Sequence, residues 1–372
     1  MAKKAVKPRV PAANVLEIKN FKSLRDIRIV PSRVNIFFGK PNSGKSNLLE
    51  AMTLFNPIQS KNIRHLQATL VRYNTLDNLF YDRNVYNDIE VRYNNNVSVL
   101  SYQPSSNCYV QVINPSPTYL KNKQDYFKEN ISLKELLDRS NILSKTENSS
   151  LYPSQLAAFD QEGTIVNQAW GETRAESPIR RYEFREGINY SDTFREYLKS
   201  SGENLFTIVQ ESPKVREWIT SFFEEFKLEF LMDFSSKKFE IQKKEKGIVY
   251  KIPFELTPDT LRRMLFFVAA IYSNSNSAIL LEEPEAHSFP PYIKYLTELI
   301  KLNSDNRYFI TTHSPYLINS LIEDSEKFTD ISFFHVYYED FQTKINKLTK
   351  KDIDILWDSS ADVFFNVDSL LK

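Results

Sequence analysis

The stretch Phe37-Phe38-Gly39-Lys40-Pro41-Asn42-Ser43-Gly44-Lys45-Ser46-Asn47-Leu48-Leu49 limits this chain more than any other. Residues 33–38 are apolar and β-rich, as a buried strand should be. Gly39 to Ser46 fit G-x-x-x-x-G-K-[ST], the phosphate-binding P-loop. Leu48, Leu49, Met52 and Phe55 then recur at helical spacing. A strand, a glycine-bracketed loop and a helix are therefore predicted in that order. Gly39 and Gly44 let the main chain approach a ligand closely. The loop N–H groups at Lys40, Pro41, Asn42, Ser43 and Asn47, proline excepted, converge on an anion, and the helix adds the positive end of its dipole. Lys45 would carry charge to the β- and γ-phosphates, and Ser46 a hydroxyl to Mg²⁺. With only 7 glycines in the chain, a chance pairing at this spacing is disfavoured.

Length and composition narrow the class. With 372 residues, 41% of them hydrophobic, the chain has ample material for a core in one large domain or two smaller ones. The formal charge of +1 gives no whole-molecule field announcing a polyanion partner. One cysteine, Cys108, excludes an internal disulfide and suits a reducing cytoplasm. Residues 1–13 read as a basic tail without the apolar centre of a signal peptide. No apolar run approaches the ~20 residues of a membrane helix, so no membrane role is expected.

Along the chain, residues 15–20 and 24–30 read as paired strands. Beyond the P-loop helix, 66–73 reads as a helical piece in a polar stretch, and 89–93, 97–102 and 109–113 as a small antiparallel sheet. These close an N-terminal lobe over 14–114. Residues 115–253 read as an irregular, partly helical insertion with small strands. Within it 132–138, 191–199, 204–210 and 214–226 are predicted helical, and 230–233, 239–243 and 249–252 extended. A C-terminal lobe over 254–345 returns to α/β alternation, and 346–372 is a tail with a helix near 351–360. In that lobe Thr257 is predicted to cap a helix whose first residue is Pro258. Alternation of this kind implies a parallel sheet covered by helices.

Two strand ends complete a reactive constellation. Ala278-Ile279-Leu280-Leu281-Glu282-Glu283 is an apolar strand ending in two acids, and ligands of such sheets bind beyond the carboxyl ends of the strands. Glu282 would hold Mg²⁺ directly or through water, and Glu283 would polarise an attacking water. His313 ends the next apolar strand and would reach a γ-phosphate. His65, His287 and His335 read as structural.

In order, Asn20-Phe21-Lys22-Ser23-Leu24, the P-loop, Leu280-Leu281-Glu282-Glu283-Pro284-Glu285-Ala286-His287 and Thr311-Thr312-His313-Ser314-Pro315 resemble the ATP-binding-cassette ATPases of the SMC/RecF type. More narrowly they resemble the AAA_15/AAA_21 group, which includes the OLD-family ATPase domain and several bacteriophage-defence ATPases. The resemblance implies a P-loop NTPase head of the ABC type with a mixed or parallel α/β sheet. It implies ATP and Mg²⁺ as cofactors, and a homodimer or higher oligomer closed around two ATPs. Lys22 matches the group's basic residue near the phosphates, and Thr257 its signature serine, which faces the partner subunit's nucleotide. Asp259 stands where the signature glycine usually sits, so either Thr257 and backbone make that contact alone or dimerisation differs. The Q-loop glutamine is open between Gln67, Gln103 and Gln210.

OLD nucleases carry a Toprim domain after the ATPase. Here Asp352, Asp354, Asp358 and Asp362 lie in a helical tail and read as solvated acids, so a nuclease or toxin effector is expected on a separate chain. The expected function is an ATP-driven switch gating that effector, in defence against bacteriophage. A RecF-like DNA-repair clamp and a non-catalytic ATP-binding scaffold are the alternatives. The clamp would need basic segments for DNA, for which Arg174, Arg180, Arg181 and Arg185 or Lys237, Lys238, Lys243, Lys244 and Lys246 are the candidates.

Overall fold

The computed structural model describes residues 14–56, 66, 70–94, 96–115, 155–170, 177–191, 195–323 and 330–358. The chain divides into two compact units that interleave in sequence. The first gathers residues 1–31, 50–177 and 339–344, and the second 32–49, 178–338 and 345–372. The division falls between residues 49 and 50, within the helix that follows the P-loop.

The first unit is built on an antiparallel sheet. Strands β1 (Leu16–Phe21) and β2 (Leu24–Ile29) pair through a tight turn at Lys22-Ser23, as their alternation predicts. β4 (Ile89–Tyr93), β5 (Asn96–Gln103) and β6 (Cys108–Ile113) follow as predicted, and β4 pairs with β1. The sheet extends further than the sequence suggested. β7 (Gln155–Phe159) and β8 (Ile165–Trp170) complete an order β2-β1-β4-β5-β6-β7-β8. Part of the expected irregular insertion is therefore regular sheet. Gln155-Leu156-Ala157-Ala158-Phe159 carries a continuous apolar centre and is buried along its length, which the polar residues around it obscured. Of the helix expected over 66–73, Leu66 is in 3₁₀ conformation while 70–73 form a turn and irregular chain, and a 3₁₀ turn follows at Leu76–Leu79. The expected helix at 132–138 lies outside the described residues.

The second unit holds the α/β core. β3 (Val34–Phe38) is buried at all five positions. β9 (Ile179–Tyr182), β13 (Ala278–Glu282), β14 (Arg307–Thr312) and β15 (Ile331–Glu339) join it in the order β16-β15-β3-β14-β13-β9, with β16 (Gln342–Lys347) at one edge. β15, β3, β14, β13 and β9 run parallel, so their carboxyl ends share one rim. Near-continuous apolar runs suit strands covered on both faces. α1 (Lys45–Thr53) follows the P-loop, and α2 (Leu205–Glu211) and α3 (Pro213–Glu224) form close to where the sequence puts them. Residues 195–199 are not helical, against expectation: Leu198 N donates to Ser273 Oγ, and its carbonyl takes the Tyr182 hydroxyl, so this chain is held by tertiary bonds instead.

β10 (Glu229–Asp233), β11 (Lys238–Glu245) and β12 (Ile248–Pro253) form a separate three-stranded antiparallel sheet. Lys246 and Gly247, with φ of 49° and 81°, make the two-residue turn that matches strand twist. α4 (Asp259–Ser273) is apolar all round between Met264 and Ile271, and every one of those residues is buried. α5 (Pro290–Leu302) and α6 (Pro315–Ile322) line the same core. α6 is capped by Ser314, whose hydroxyl accepts from Leu317 N at 3.4 Å. α7 (Lys350–Asp358) opens with a reciprocal cap: Thr349 N donates to Asp352 at 2.7 Å, and Asp352 N to the Thr349 hydroxyl at 3.3 Å. That local duty accounts for Asp352; Asp362 lies outside the described residues.

One predicted cap fails. α4 begins at Asp259, with Pro258 in the capping position. The Thr257 hydroxyl donates instead to the Phe254 carbonyl at 2.6 Å, closing a 3₁₀ turn over Phe254–Leu256. No helix among the described residues is long and apolar enough to cross a membrane.

Candidate functional site

The P-loop turns sharply between β3 and α1. Gly39 has φ of 152°, Asn42 60° and Gly44 96°, so three of its residues occupy backbone that side chains resist. A Cβ on Gly39 would lie 2.0 Å from the Val336 carbonyl oxygen, so only glycine fits there. The Lys45 ammonium is drawn into this turn, donating to the carbonyls of Gly39 (2.9 Å) and Lys40 (2.8 Å) and to the Ser43 hydroxyl (3.3 Å). Lys40, Pro41 and Asn42 are exposed, Ser43 is buried, and Ser46 and Asn47 are half-buried on the first turn of α1. Burial lowers the Lys45 pKa to about 8, against the opposing pull of the Glu283 carboxylate.

The sheet register brings the other strand ends to the same rim. Thr312 on β14 pairs with Phe38 on β3, and Glu282 on β13 pairs with Thr311. The two loops that follow carry Glu283 and His313. The Glu283 backbone turns out of the strand with φ of 43° while its N–H still donates to the Thr311 carbonyl at 3.0 Å. His313 Nε2 lies 3.5 Å from Glu283 Oε1. Burial, then the Lys45 charge, hold the His313 pKa below the ordinary imidazole value, and Glu283 opposes them. Lys45, Glu283 and His313 are thus within electrostatic reach of one another, although 238 and 30 residues separate the successive pairs in sequence (283 − 45 and 313 − 283).

Glu282 differs from expectation. Its carboxylate is ion-paired with Arg181, a guanidinium only 1% exposed on the neighbouring strand β9. The sequence offered no signal for this pair, since Arg181 read as one member of a basic cluster. It is a correction for the nucleic-acid reading as well. Arg180 is likewise engaged inside the fold, donating to Asn274 Oδ1 at 2.7 Å and lying 3.5 Å over the Tyr197 ring. Lys244 and Lys243 pair with Glu229 (2.8 Å) and Glu245 (2.7 Å). Lys237, Lys238, Lys246 and Arg185 stay on exposed or half-exposed chain, and Arg174 lies outside the described residues.

Two further expected nucleotide residues have partners of their own within the fold. In the first unit the Lys22 ammonium is ion-paired with Glu50, which is fully buried, and donates to the Arg72 carbonyl at 2.6 Å. Arg72 Nε adds a second cation to Glu50 at 2.7 Å. Thr257 is committed to Phe254, as above. Beside it, Asp259 is neutralised within its own helix by Arg263 at 2.6 Å and Arg262 at 3.6 Å. Of the Q-loop candidates, Gln103 is buried at the end of β5, Gln210 is exposed on α2, and Gln67 lies outside the described residues.

The oxygen donors expected here from the sequence, the Ser46 hydroxyl and the Glu282 carboxylate at the end of β13, suit a hard cation such as Mg²⁺. Among the described residues no cluster of three metal-binding side chains would hold a metal by protein ligands alone.

A family profile described as AAA ATPase domain, AAA_15, matches residues 14–251. The chain belongs to the AAA_15 family. The P-loop, β3 and α1 fall inside the matched span, and the acid pair and His313 follow it on the same parallel sheet. Three solved structures are similar to this AAA_15 chain. An SMC head bound to the C-winged helix domain of ScpA is 14% identical, with a TM-score of 0.46 over 93% of this chain and 100% of that one. An SMC head domain from Thermotoga maritima is 13% identical, with a TM-score of 0.38 over 90% and 98%. An SMC head domain with an extended coiled coil, bound to the C-terminal domain of ScpA derived from Pyrococcus furiosus, is 13% identical, with a TM-score of 0.42 over 94% and 99%. No curated protein matches this sequence significantly.

Proposed function

We propose that this AAA_15 chain binds ATP at the P-loop and hydrolyses it, and that the cycle gates a partner. The observation carrying this reading is the gathering of Lys45, Glu283 and His313 at the carboxyl rim of one parallel sheet. Lys45 gives up the carbonyls of Gly39 and Lys40 to pair with phosphate oxygens, which is a gain for an ammonium already stripped of most of its water. Glu283 orients the attacking water and takes up its proton. His313, kept neutral at pH 7 by its surroundings, offers an N–H beside Glu283 rather than a competing charge. Mg²⁺ bound with the nucleotide, held by the Ser46 hydroxyl and by Glu282 directly or through water, would neutralise charge on the transferring phosphoryl group.

Closure of two copies around ATP, and control of a separate nuclease or toxin in defence against bacteriophage, are supported by the order of motifs shared with that group. Asp259 no longer argues against closure, because Arg263 and Arg262 neutralise it before any phosphate arrives. One observation favours a second reading, a scaffold that binds ATP without turnover: the Glu282 carboxylate is already engaged by Arg181. Phosphate release separates the two. Sustained release by wild type, absent in Lys45→Ala, supports the switch; ATP binding without release supports the scaffold.

A further inference from the structure

Glu285 lies two residues beyond Glu283 and is buried, 8% exposed. Its Oε1 accepts two hydrogen bonds, from the Thr312 hydroxyl at 2.6 Å and from the His313 backbone N–H at 3.1 Å. The Thr312 oxygen in turn accepts from Ser314 N at 2.9 Å, and Ser314 caps α6. One carboxylate oxygen therefore fastens the turn between β14 and α6 at the two positions that set the direction of the His313 side chain. The other oxygen, Oε2, is buried with no hydrogen-bond partner among the described residues.

A carboxyl group so placed is costly. Burial raises its pKa, against the help of Thr312 and His313 N–H. A stretch whose only task was to close a surface loop would gain nothing from a buried acid with one oxygen unsatisfied. The cost is understandable if the turn must be rigid, because strand ends that carry reacting groups are held to fractions of an ångström by supporting shells.

We infer that Glu285 is the positioning residue for His313, tying the loop after β13 to the turn after β14 so that Glu283 and His313 keep a fixed separation. Its kinetic consequence rests on the ATPase reading above; its structural consequence does not. An amide can replace the acceptor oxygen, so Glu285→Gln should preserve the tie and Glu285→Ala should release it.

The test has two arms. In the first, the His313 ring signals, assigned by their loss in His313→Gln, are followed by NMR as pH is varied in wild type, Glu285→Gln and Glu285→Ala, without nucleotide. The imidazole titration should move and its lines broaden in Glu285→Ala, and stay as in wild type in Glu285→Gln. In the second, kcat and KM for ATP are measured. Glu285→Ala should lose about 100-fold in kcat with KM changed by less than about threefold, and Glu285→Gln should recover most of that loss. A His313 titration identical in all three proteins overturns the inference, whatever the ATPase does. So does a Glu285→Gln protein as impaired as Glu285→Ala, which would mean that charge matters and not the tie. Absent turnover in wild type would count against the ATPase reading alone, with the NMR arm still deciding the role of Glu285. Should Glu285→Ala fail to fold, Thr312→Val removes the hydroxyl half of the same tie and should shift the His313 titration in the same direction; an unmoved titration there is equally fatal.

Discussion

Lys45 is held by its own loop, and its charge is a conditional property. Its pKa of about 8 in the folded chain lies below the ordinary lysine value. The sign follows directly: the charged form is disfavoured by folding, so the penalty on stability is full below pH 8 and is relieved as pH rises toward 10.5. ATP binding runs the other way, because it needs the ammonium. The affinity of a fluorescent ATP analogue should fall about tenfold per pH unit above 8, and titrations between pH 7 and 9.5 read this directly. A flat profile would separate Lys45 from the phosphates. At Gly39 the constraint is steric, since a Cβ meets the Val336 oxygen at 2.0 Å. Gly39→Ala should cost at least about 2 kcal/mol in urea unfolding and should abolish nucleotide binding. Both residues were legible in the sequence, because the P-loop ties a backbone shape to a residue pattern over eight positions. Glu285 and Arg181 were not, since a buried acid and a buried arginine have no local pattern; their meaning lies in strands brought together by pairing.

At the scale of elements, β9 and β13 meet through the Arg181–Glu282 pair, and β9 was hidden within a stretch that read as irregular. A four-residue strand of Ile179-Arg180-Arg181-Tyr182 has no alternation to announce it, because both arginines are drawn inward to partners far along the chain. Removing one member of such a pair leaves the other without its counter-charge. Arg181→Leu should destabilise the protein by about 3 kcal/mol, the low end for buried pairs because Glu282 keeps some contact with solvent. Chemical denaturation measures it, and a change under about 1 kcal/mol would mark the pair as incidental. By contrast, β3, β13, β14 and β15 were readable from their apolar runs, and α4 to α6 from the α/β alternation of the C-terminal stretch. The helix expected at 191–199 failed at its described residues because tertiary hydrogen bonds to Ser273 and Tyr182 overrode a weak local preference.

At the scale of the whole molecule, two compact units draw on alternating stretches of sequence. The parallel sheet of the second unit carries the acid pair, the P-loop and His313 on one rim, and this is the property from which an ATP-driven cycle is inferred. If the cycle includes closure of two copies, light scattering with Mg²⁺ and ATP should show a doubled mass for Glu283→Gln and monomer for Lys45→Ala; equal masses with and without ATP would remove closure while leaving hydrolysis intact. The most direct measurement takes Glu283→Gln and wild type side by side, recording ATP affinity and the rate of phosphate release. The variant should bind ATP within about threefold of wild type and release phosphate at least about 100-fold more slowly; equal rates from the two proteins would contradict the claim that Glu283 faces the triphosphate held by Lys45.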